Sequence, residues 1–438
     1  MSTTGGDADP PPPGERSPHL FAAKHDDGTG TGRLCGFHAN HGIVSTLLLV
    51  AGVLVAVFVG VNVGGSNTGV AFGPAVGSGA VSKLIAGALM SVFALLGGWT
   101  VGRRVVDTLG SDIVTGDPFT LSVSIAMLFF VGLALFVSNV FGVPASTSMT
   151  AVGAIAGFGL ASNRLNTGVV LEIVSWWFVA PIVGFWVSAV VGRYAYDEIA
   201  ARIAVRQSEG PLLQFTPRPA LGPNTTMREL GGTVLVVAIA CYMAFSAGAS
   251  NVANAVAPLV GNGALTMNQG ILLAAGSIGL GALTLARRTL DTVGNDLTDL
   301  PLAAALVVAT VSASLVTVLS ALGVPASFVV IATMSIVGLG WGRATRAEGT
   351  TLPGTAAGGV GAPAATGSTE TSAHSAAATG FGTAGELTEE PPLAPTETAA
   401  TAELYRPATT ARIVVLQNLV PAFATVAAYA VFRFVPFV

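Results

Sequence analysis

Apolar residues gather in runs of near-constant length, parted by short polar breaks, from about residue 43 to 342 and again from 412 to 437. The runs near 43–63, 84–102, 121–141, 144–162, 169–193, 230–247, 269–286, 301–322, 325–342 and 412–437 approach the roughly 20 residues with which a helix crosses a bilayer. Their unbroken character predicts helices, since within hydrocarbon only helices and closed barrels satisfy the backbone. Two shorter segments, 66–82 and 250–266, are apolar but interrupted by Gly, Pro, Ser and Asn. They read as half-helices or re-entrant pieces.

The pattern also repeats. Residues 64–82 are GGSNTGVAFGPAVGSGAVS and residues 248–266 are GASNVANAVAPLVGNGALT, with nine of nineteen positions identical and no gap. RRVVDTLGSD at 103–112 returns as RRTLDTVGND at 287–296, at the same spacing of 184 residues, and GVPAS at 142–146 returns at 323–327. A weaker correspondence, EIVSWWFVAP at 172–181 with RIVVLQNLVP at 412–421, would close the second repeat; chance likeness between two apolar helices competes with it. Paired, broken apolar segments in corresponding halves point to the binding site of a secondary transporter. The expected fold class is an all-α integral membrane protein with two inverted-topology repeats, broken or re-entrant helices and about 10–12 membrane segments.

Composition sharpens this picture. Hydrophobic residues make up 52% of the chain and charged residues 10%, with a mean hydropathy of +0.71; a soluble domain carries charge at about a quarter of its positions. Residues 1–41 are polar and proline-rich, hold four of the five histidines and predict a disordered tail with no cleavable leader. Cys35, His38 and His41 fall together there, but a solvated tail is the better reading than a metal site. The expected layout continues with transmembrane repeat 1 over 42–193, a polar connector over 194–229 and transmembrane repeat 2 over 230–342. A disordered acidic loop over 343–410 and a C-terminal transmembrane helix over 411–438 complete it. Between residues 347 and 405 the loop has seven Glu and no Lys or Arg. The two cysteines, Cys35 and Cys241, make no metal or disulfide pattern, and a net charge of −4 calls for no nucleic-acid partner. Arg pairs at equivalent points of both repeats leave membrane orientation open.

Ser66 and Asn67, like Ser250 and Asn251, follow a span at a small-residue pair and are strong helix N-caps. A half-helix starting there would aim free amide hydrogens and the positive end of its dipole into the membrane. The competing reading is that these small residues only permit close helix packing; duplication of the whole cluster favours a site. In GVPASTS at 142–148, Pro breaks a span and Ser146, Thr147 and Ser148 follow as neutral donors to an oxyanion. Ser327 is the only one of these hydroxyls kept in the second copy. An alternative is that they bond back to the backbone of a starting helix. No nucleophile–base or metal constellation lies in the spans, so an enzyme is not expected.

On these residues the chain resembles the inorganic phosphate transporter (PiT) family, whose signature G-A-N-D-V-A-N-A occurs once per inverted repeat. Here it resembles Gly64-Gly65-Ser66-Asn67-Thr68-Gly69-Val70-Ala71 and Gly248-Ala249-Ser250-Asn251-Val252-Ala253-Asn254-Ala255. The family's G-hydrophobic-P-V-S-T-T-H motif is similar to residues 142–149, and its S-W-x-x-x-P helix to residues 175–181. The departures are specific: the Asn-Asp pair is Ser-Asn in both copies, the second Asn survives as Asn254 but is Val70 in the first, and the His is Met149. The resemblance implies a permease for inorganic phosphate working by alternating access. Its site would comprise Ser66, Asn67, Ser250, Asn251 and Asn254, with Ser146, Thr147, Ser148 and Ser327 in support. In the family the two aspartates are associated with Na⁺ or H⁺ coupling. Asn67 and Asn251 cannot release a proton, so Na⁺ is the only coupling ion left at these positions, more weakly held; no other cofactor is expected. The partners implied are inorganic phosphate or a similar oxyanion and the lipid bilayer, with a homodimer left open. Two other readings stand beside this one: a permease for sulfate or another tetrahedral oxyanion, and a non-transporting homologue acting as a sensor or assembly protein.

Overall fold

The computed structural model describes residues 31–116, 119–140, 146–202, 213–214, 220–221, 226–286, 290, 301–350 and 407–435. In chain order the helices are α1 (Thr31–Gly77), α2 (Lys83–Thr100), α3 (Arg103–Asp107, running on into a π turn at Thr108–Asp112), α4 (Leu121–Val140), α5 (Thr147–Ala161) and α6 (Thr167–Tyr194). There follow α7 (Tyr196–Arg202), α8 (Met227–Gly261), α9 (Met267–Thr284), α10 (Leu302–Ala321), α11 (Phe328–Thr350) and α12 (Pro407–Phe434). In the connector, Leu213–Gln214 (β1) pairs antiparallel with Ala220–Leu221 (β2). The chain divides into two compact units, Met1–Leu47 and Leu48–Val438; the first contains the start of α1, and the packing below belongs to the second.

Among the described residues, seven helices are long and apolar enough to cross a membrane: Val44–Gly77 of α1, α2, α4, α6, α8, α10 and Phe328–Arg346 of α11. Thr147–Ala161 and Asn418–Phe434 are shorter apolar helices. The helix boundaries differ from the sequence expectation at three places. α1 begins at Thr31, inside the 1–41 segment. α11 runs on to Thr350 and α12 begins at Pro407, so both ends of the 343–410 segment are helical. The remainder of the tail and of the acidic loop lies outside the described residues.

The largest correction concerns the broken segments 66–82 and 250–266. Neither is a separate half-helix: α1 continues through Ser66 and Asn67 to Gly77, and α8 through Ser250 and Asn251 to Gly261. The side chains bond back along the helix instead of capping a new one. Ser66 Oγ donates to the Asn62 and Val63 carbonyls, both at 3.2 Å, and Thr68 Oγ1 to the Gly64 carbonyl at 2.6 Å. Asn251 Nδ2 donates to the Ala247 carbonyl at 2.9 Å. Ser, Thr and Asn use this local option whenever breaking the helix would strand backbone groups in apolar surroundings.

The glycines of the motif serve close packing. A Cβ on Gly64 would overlap the Ile278 carbonyl of α9, and one on Gly248 the Ala94 carbonyl of α2. A Cβ on Gly97 of α2 would overlap the Phe245 carbonyl of α8, and one on Gly281 of α9 the Val61 carbonyl of α1. The two sets are the same contact shifted by the sequence repeat. α1 therefore packs on the helix that follows α8, and α8 on the helix that follows α1. The turns repeat as well: Gly79 (φ 72°) and Gly263 (φ 76°) close α1 and α8 in the left-handed region, and Ser82 and Thr266 then cap α2 and α9.

Helices end and begin on either side of both GVPAS motifs: α4 stops at Val140 and α5 starts at Thr147, and α10 stops at Ala321 and α11 starts at Phe328. α4 and α5 form a hairpin. Thr115 N donates to the Arg164 carbonyl and Asn166 N to the Ile113 carbonyl, both at 2.9 Å, which ties the base of α4 to the far end of α5. Residues 141–145, between the two helices, lie outside the described residues; Ser146 follows as the N-cap of α5. α10 and α11 form the corresponding pair around residues 322–327. Gly323 (φ +81°) turns the chain there beside Thr108 and the Arg104 carbonyl. α5 packs on α12, where Phe158 meets Phe432 edge-on with centroids 4.9 Å apart. α11 packs on α6, where a Cβ on Gly338 would overlap the Phe185 carbonyl. Each hairpin's second helix thus leans on the Pro-containing helix expected to belong to the other repeat.

Candidate functional site

The two hairpin tips meet at one serine of α8. Ser250 Oγ lies 3.2 Å from Ser148 Oγ in the first turn of α5 and donates to the Ala326 carbonyl at 3.0 Å, one residue before Ser327. Each tip carries an N-cap: Ser146 Oγ accepts from Met149 N at 3.3 Å, and Ser327 Oγ accepts from Val330 N at 3.4 Å. The first amides of a helix have no carbonyl partner within it. Among the described residues, the amide hydrogens of Thr147 and Ser148 on one side, and of Phe328 and Val329 on the other, are therefore left at the two helix starts that Ser250 joins.

Around this junction the side chains form one network. Thr147 Oγ1 donates to Asn251 Oδ1. Asn254, one turn further along α8, donates from Nδ2 to Asn251 Oδ1 at 3.0 Å and to Ser148 Oγ at 3.3 Å. Ser146, Thr147, Ser148, Ser250, Asn251, Asn254 and Ser327 are all buried, and none carries a charge. Ser250's single proton goes to Ala326, so Ser148 is the donor between the two serines. The expectation that the Ser/Thr hydroxyls are free donors for an anion is therefore corrected for Thr147, Ser148 and Ser250: their protons are committed to Asn251 Oδ1, Ser250 Oγ and the Ala326 carbonyl. The donors that remain are main-chain amides and the hydroxyls of Ser146 and Ser327, which act only as acceptors in their capping bonds.

The first-repeat residues sit differently. Ser66 is half-buried and spends its hydroxyl on α1 carbonyls; Asn67 is also half-buried, and its Nδ2 is enclosed without a hydrogen-bond partner. No hydrogen bond joins either residue to the Ser250 cluster among the described residues. The asymmetry follows from the sequence: where α5 offers Thr147 and Ser148, α11 offers Phe328 and Val329, which cannot bond to an amide.

Two contacts at the second tip and one at the first were not foreseen. Trp177 Nε1 donates to the Pro325 carbonyl at 2.8 Å. Arg104 donates to the Ala321 carbonyl at the end of α10, where a cation meets the negative end of the helix dipole. Asn139, at the end of α4, donates to the Asn62 carbonyl at 3.1 Å and to Asn62 Oδ1 at 3.0 Å. Trp177 lies in the S-W-x-x-x-P stretch and Arg104 in the repeated Arg pair, so both positions were visible in the sequence but their partners were not. Arg103 stacks over Trp99 at 4.6 Å and reaches Asn268 Oδ1 at 2.8 Å. Arg287, Arg288, Asp291 and Asp296 lie outside the described residues.

The chain and its fold have counterparts among known proteins. A family model described as the phosphate transporter family matches residues 63–360. The sulfate permease CysP of Bacillus subtilis is 31% identical over 296 residues, spanning 67% of this chain and 77% of that relative. A Chlamydia trachomatis protein provisionally named a phosphate permease is 26% identical over 394 residues, covering 69% of this chain and 91% of its own. A solved sodium-dependent phosphate transporter superposes with a TM-score of 0.58 over 89% of this chain and 100% of its own, at 17% identity, which shows a shared fold. With more than half its length matched by the family model and seven helices able to span a bilayer, this multi-pass membrane protein belongs to the phosphate transporter family.

Proposed function

We propose that the protein is a secondary permease that carries inorganic phosphate by alternating access, with the solute bound where the α5 and α11 N-termini meet Ser250. The observation that carries this is the Ser250 bridge: one hydroxyl touches the first turn of α5 and the backbone just ahead of α11. Two helix starts aimed at one place form an anion site from main-chain amides, each terminus contributing about 0.3–2 kcal/mol. In this reading Asn251 and Asn254 shape the pocket, Thr147 and Ser148 supply amides, and Ser66 and Asn67 belong to a second wall that joins when the halves move. The reciprocal glycine contacts support two repeats related by a two-fold axis, whose inverted orientation is part of this reading. Neutral amides in place of aspartates support weak coupling to Na⁺ and none to protons at these positions. No step of bond chemistry is assigned to the protein.

A sulfate permease is the second reading, favoured by the 31% identity to a relative of that name. Radiolabelled phosphate and sulfate uptake into proteoliposomes, with and without an inward Na⁺ gradient, tests both. Phosphate uptake that rises less than about tenfold with the gradient is expected; absence of uptake of either anion would sink the permease reading.

A further inference from the structure

We infer that Asn254 makes the site selective for tetrahedral oxyanions that retain a proton, phosphate and arsenate over sulfate and selenate, because its Oδ1 is a buried acceptor held in one orientation. This rests on the permease reading and names the property of the solute that the pocket checks.

The orientation is settled by a chain of donors that begins at the backbone. The Ala247 carbonyl can only accept, and Asn251 Nδ2 donates to it at 2.9 Å. The Asn251 amide therefore cannot be turned over, and its Oδ1 faces Thr147 and Asn254 as an acceptor. Asn254 must present Nδ2 to that oxygen, as it does at 3.0 Å, and the same nitrogen reaches Ser148 Oγ at 3.3 Å. Both hydrogens of the Asn254 amide are then committed. Its Oδ1 is the remaining edge: it is buried, it has no hydrogen-bond partner among the described residues, and the whole residue is only 2% exposed. Flipping Asn254 would set its oxygen against Asn251 Oδ1, acceptor against acceptor.

A solute seated at the α5 start meets two kinds of group. Its bare oxygens find the amide hydrogens of Thr147 and Ser148. The oxygen beside Asn254 finds an acceptor. Sulfate and selenate carry no hydrogen at neutral pH, so that contact brings two acceptors together without water. Phosphate and arsenate keep a hydroxyl, which turns the same contact into a hydrogen bond. Leaving a buried acceptor unmade carries its full desolvation penalty, and sites built around a substrate hydroxyl strongly reject analogues that lack it. A carboxylate would serve as acceptor too, but would repel the anion; a neutral amide checks for the proton without that charge.

The test uses the full chain in two assays. In proteoliposomes at pH 7, arsenate should compete with radiolabelled phosphate at similar concentration, while sulfate and selenate should need at least about 100-fold more. In detergent, thermal stabilisation by the four anions should rank the same way without any transport. Asn254→Ala, which removes the acceptor, should weaken phosphate and bring the phosphate-to-sulfate ratio towards parity. Sulfate acting within about threefold of phosphate on the wild-type protein would overturn the inference, whether or not the variant folds; so would a folded N254A protein that keeps the full preference. Phosphate-selective stabilisation with no uptake would sink the permease reading and leave this inference standing, and equal uptake of both anions would do the reverse.

Discussion

Ser250 is the residue that joins the two hairpin tips. Removing its hydroxyl leaves the buried Ala326 carbonyl and Ser148 Oγ each short of a partner, and an unmade buried hydrogen bond costs about 1–3 kcal/mol. Ser250→Ala is expected to lower the initial rate of phosphate uptake by about tenfold or more and to lower the melting temperature, measured on the same preparation. Ser66→Ala, by contrast, loses only bonds to carbonyls of its own helix and should leave melting within about 0.5 kcal/mol of the wild type. The glycines separate in the same way. Gly231 in α8 and Gly276 in α9 face open space, so Gly231→Ala and Gly276→Ala should be neutral or stabilising by up to about 1 kcal/mol. A side chain at Gly97 or Gly281 meets a backbone carbonyl that cannot move aside, and Gly97→Leu and Gly281→Leu should both abolish folded protein on gel filtration. Because the two contacts are the same contact repeated, the two losses should match.

At the scale of elements, the hairpins differ in how their tips are held. The α5 tip is tied to α8 by side chains, through Thr147 and Ser148. The α11 tip is tied by its main chain, through the Pro325 carbonyl to Trp177, the Ala326 carbonyl to Ser250 and the Ala321 carbonyl to Arg104. Trp177→Phe keeps the ring and deletes the donor. It should lower uptake while leaving helix content by circular dichroism unchanged, and faster hydrogen exchange should be confined to residues 322–330. If exchange there is unaltered, Trp177 does not hold the tip. The interruption of membrane helices was legible in GVPAS, since proline both removes a donor and restricts the residue before it. The continuity of α1 and α8 was not. Gly, Ser and Asn favour a cap and a close-packed helix interior almost equally, and only the neighbouring α9 and α2 backbones decide between the two.

At the scale of the whole molecule, the packing makes each half incomplete without the other: α1 needs α9, α8 needs α2, α5 needs α12 and α11 needs α6. That interdependence carries a topological expectation. In a background lacking Cys35 and Cys241, Ala80→Cys and Ala264→Cys, at matching points of the two repeated turns, should react with a membrane-impermeant maleimide from opposite sides of the membrane. Labelling of both from the same side would rule out inverted repeats. Deleting residues 351–406 removes none of the residues named at the junction, so it should leave phosphate uptake within about twofold of the wild type.

The sequence alone determined that the chain is helical and membrane-embedded, that its elements come in pairs, and that chemistry gathers at SN and GVPAS. Those properties are set by residues close together along the chain: run length against bilayer thickness, and proline against helix. Only the tertiary structure decided that the starts of α5 and α11 meet the middle of an unbroken α8, that one repeat's Ser-Asn pair enters this junction while the other's stays apart, and that the protons of Thr147, Ser148 and Ser250 are spent within it. A hydrogen bond between Ser148 and Ser250 has a direction only once the Ala326 carbonyl is beside them. No local pattern encodes that meeting, because it joins segments about 100 residues apart through the packing of helices that neither motif contains.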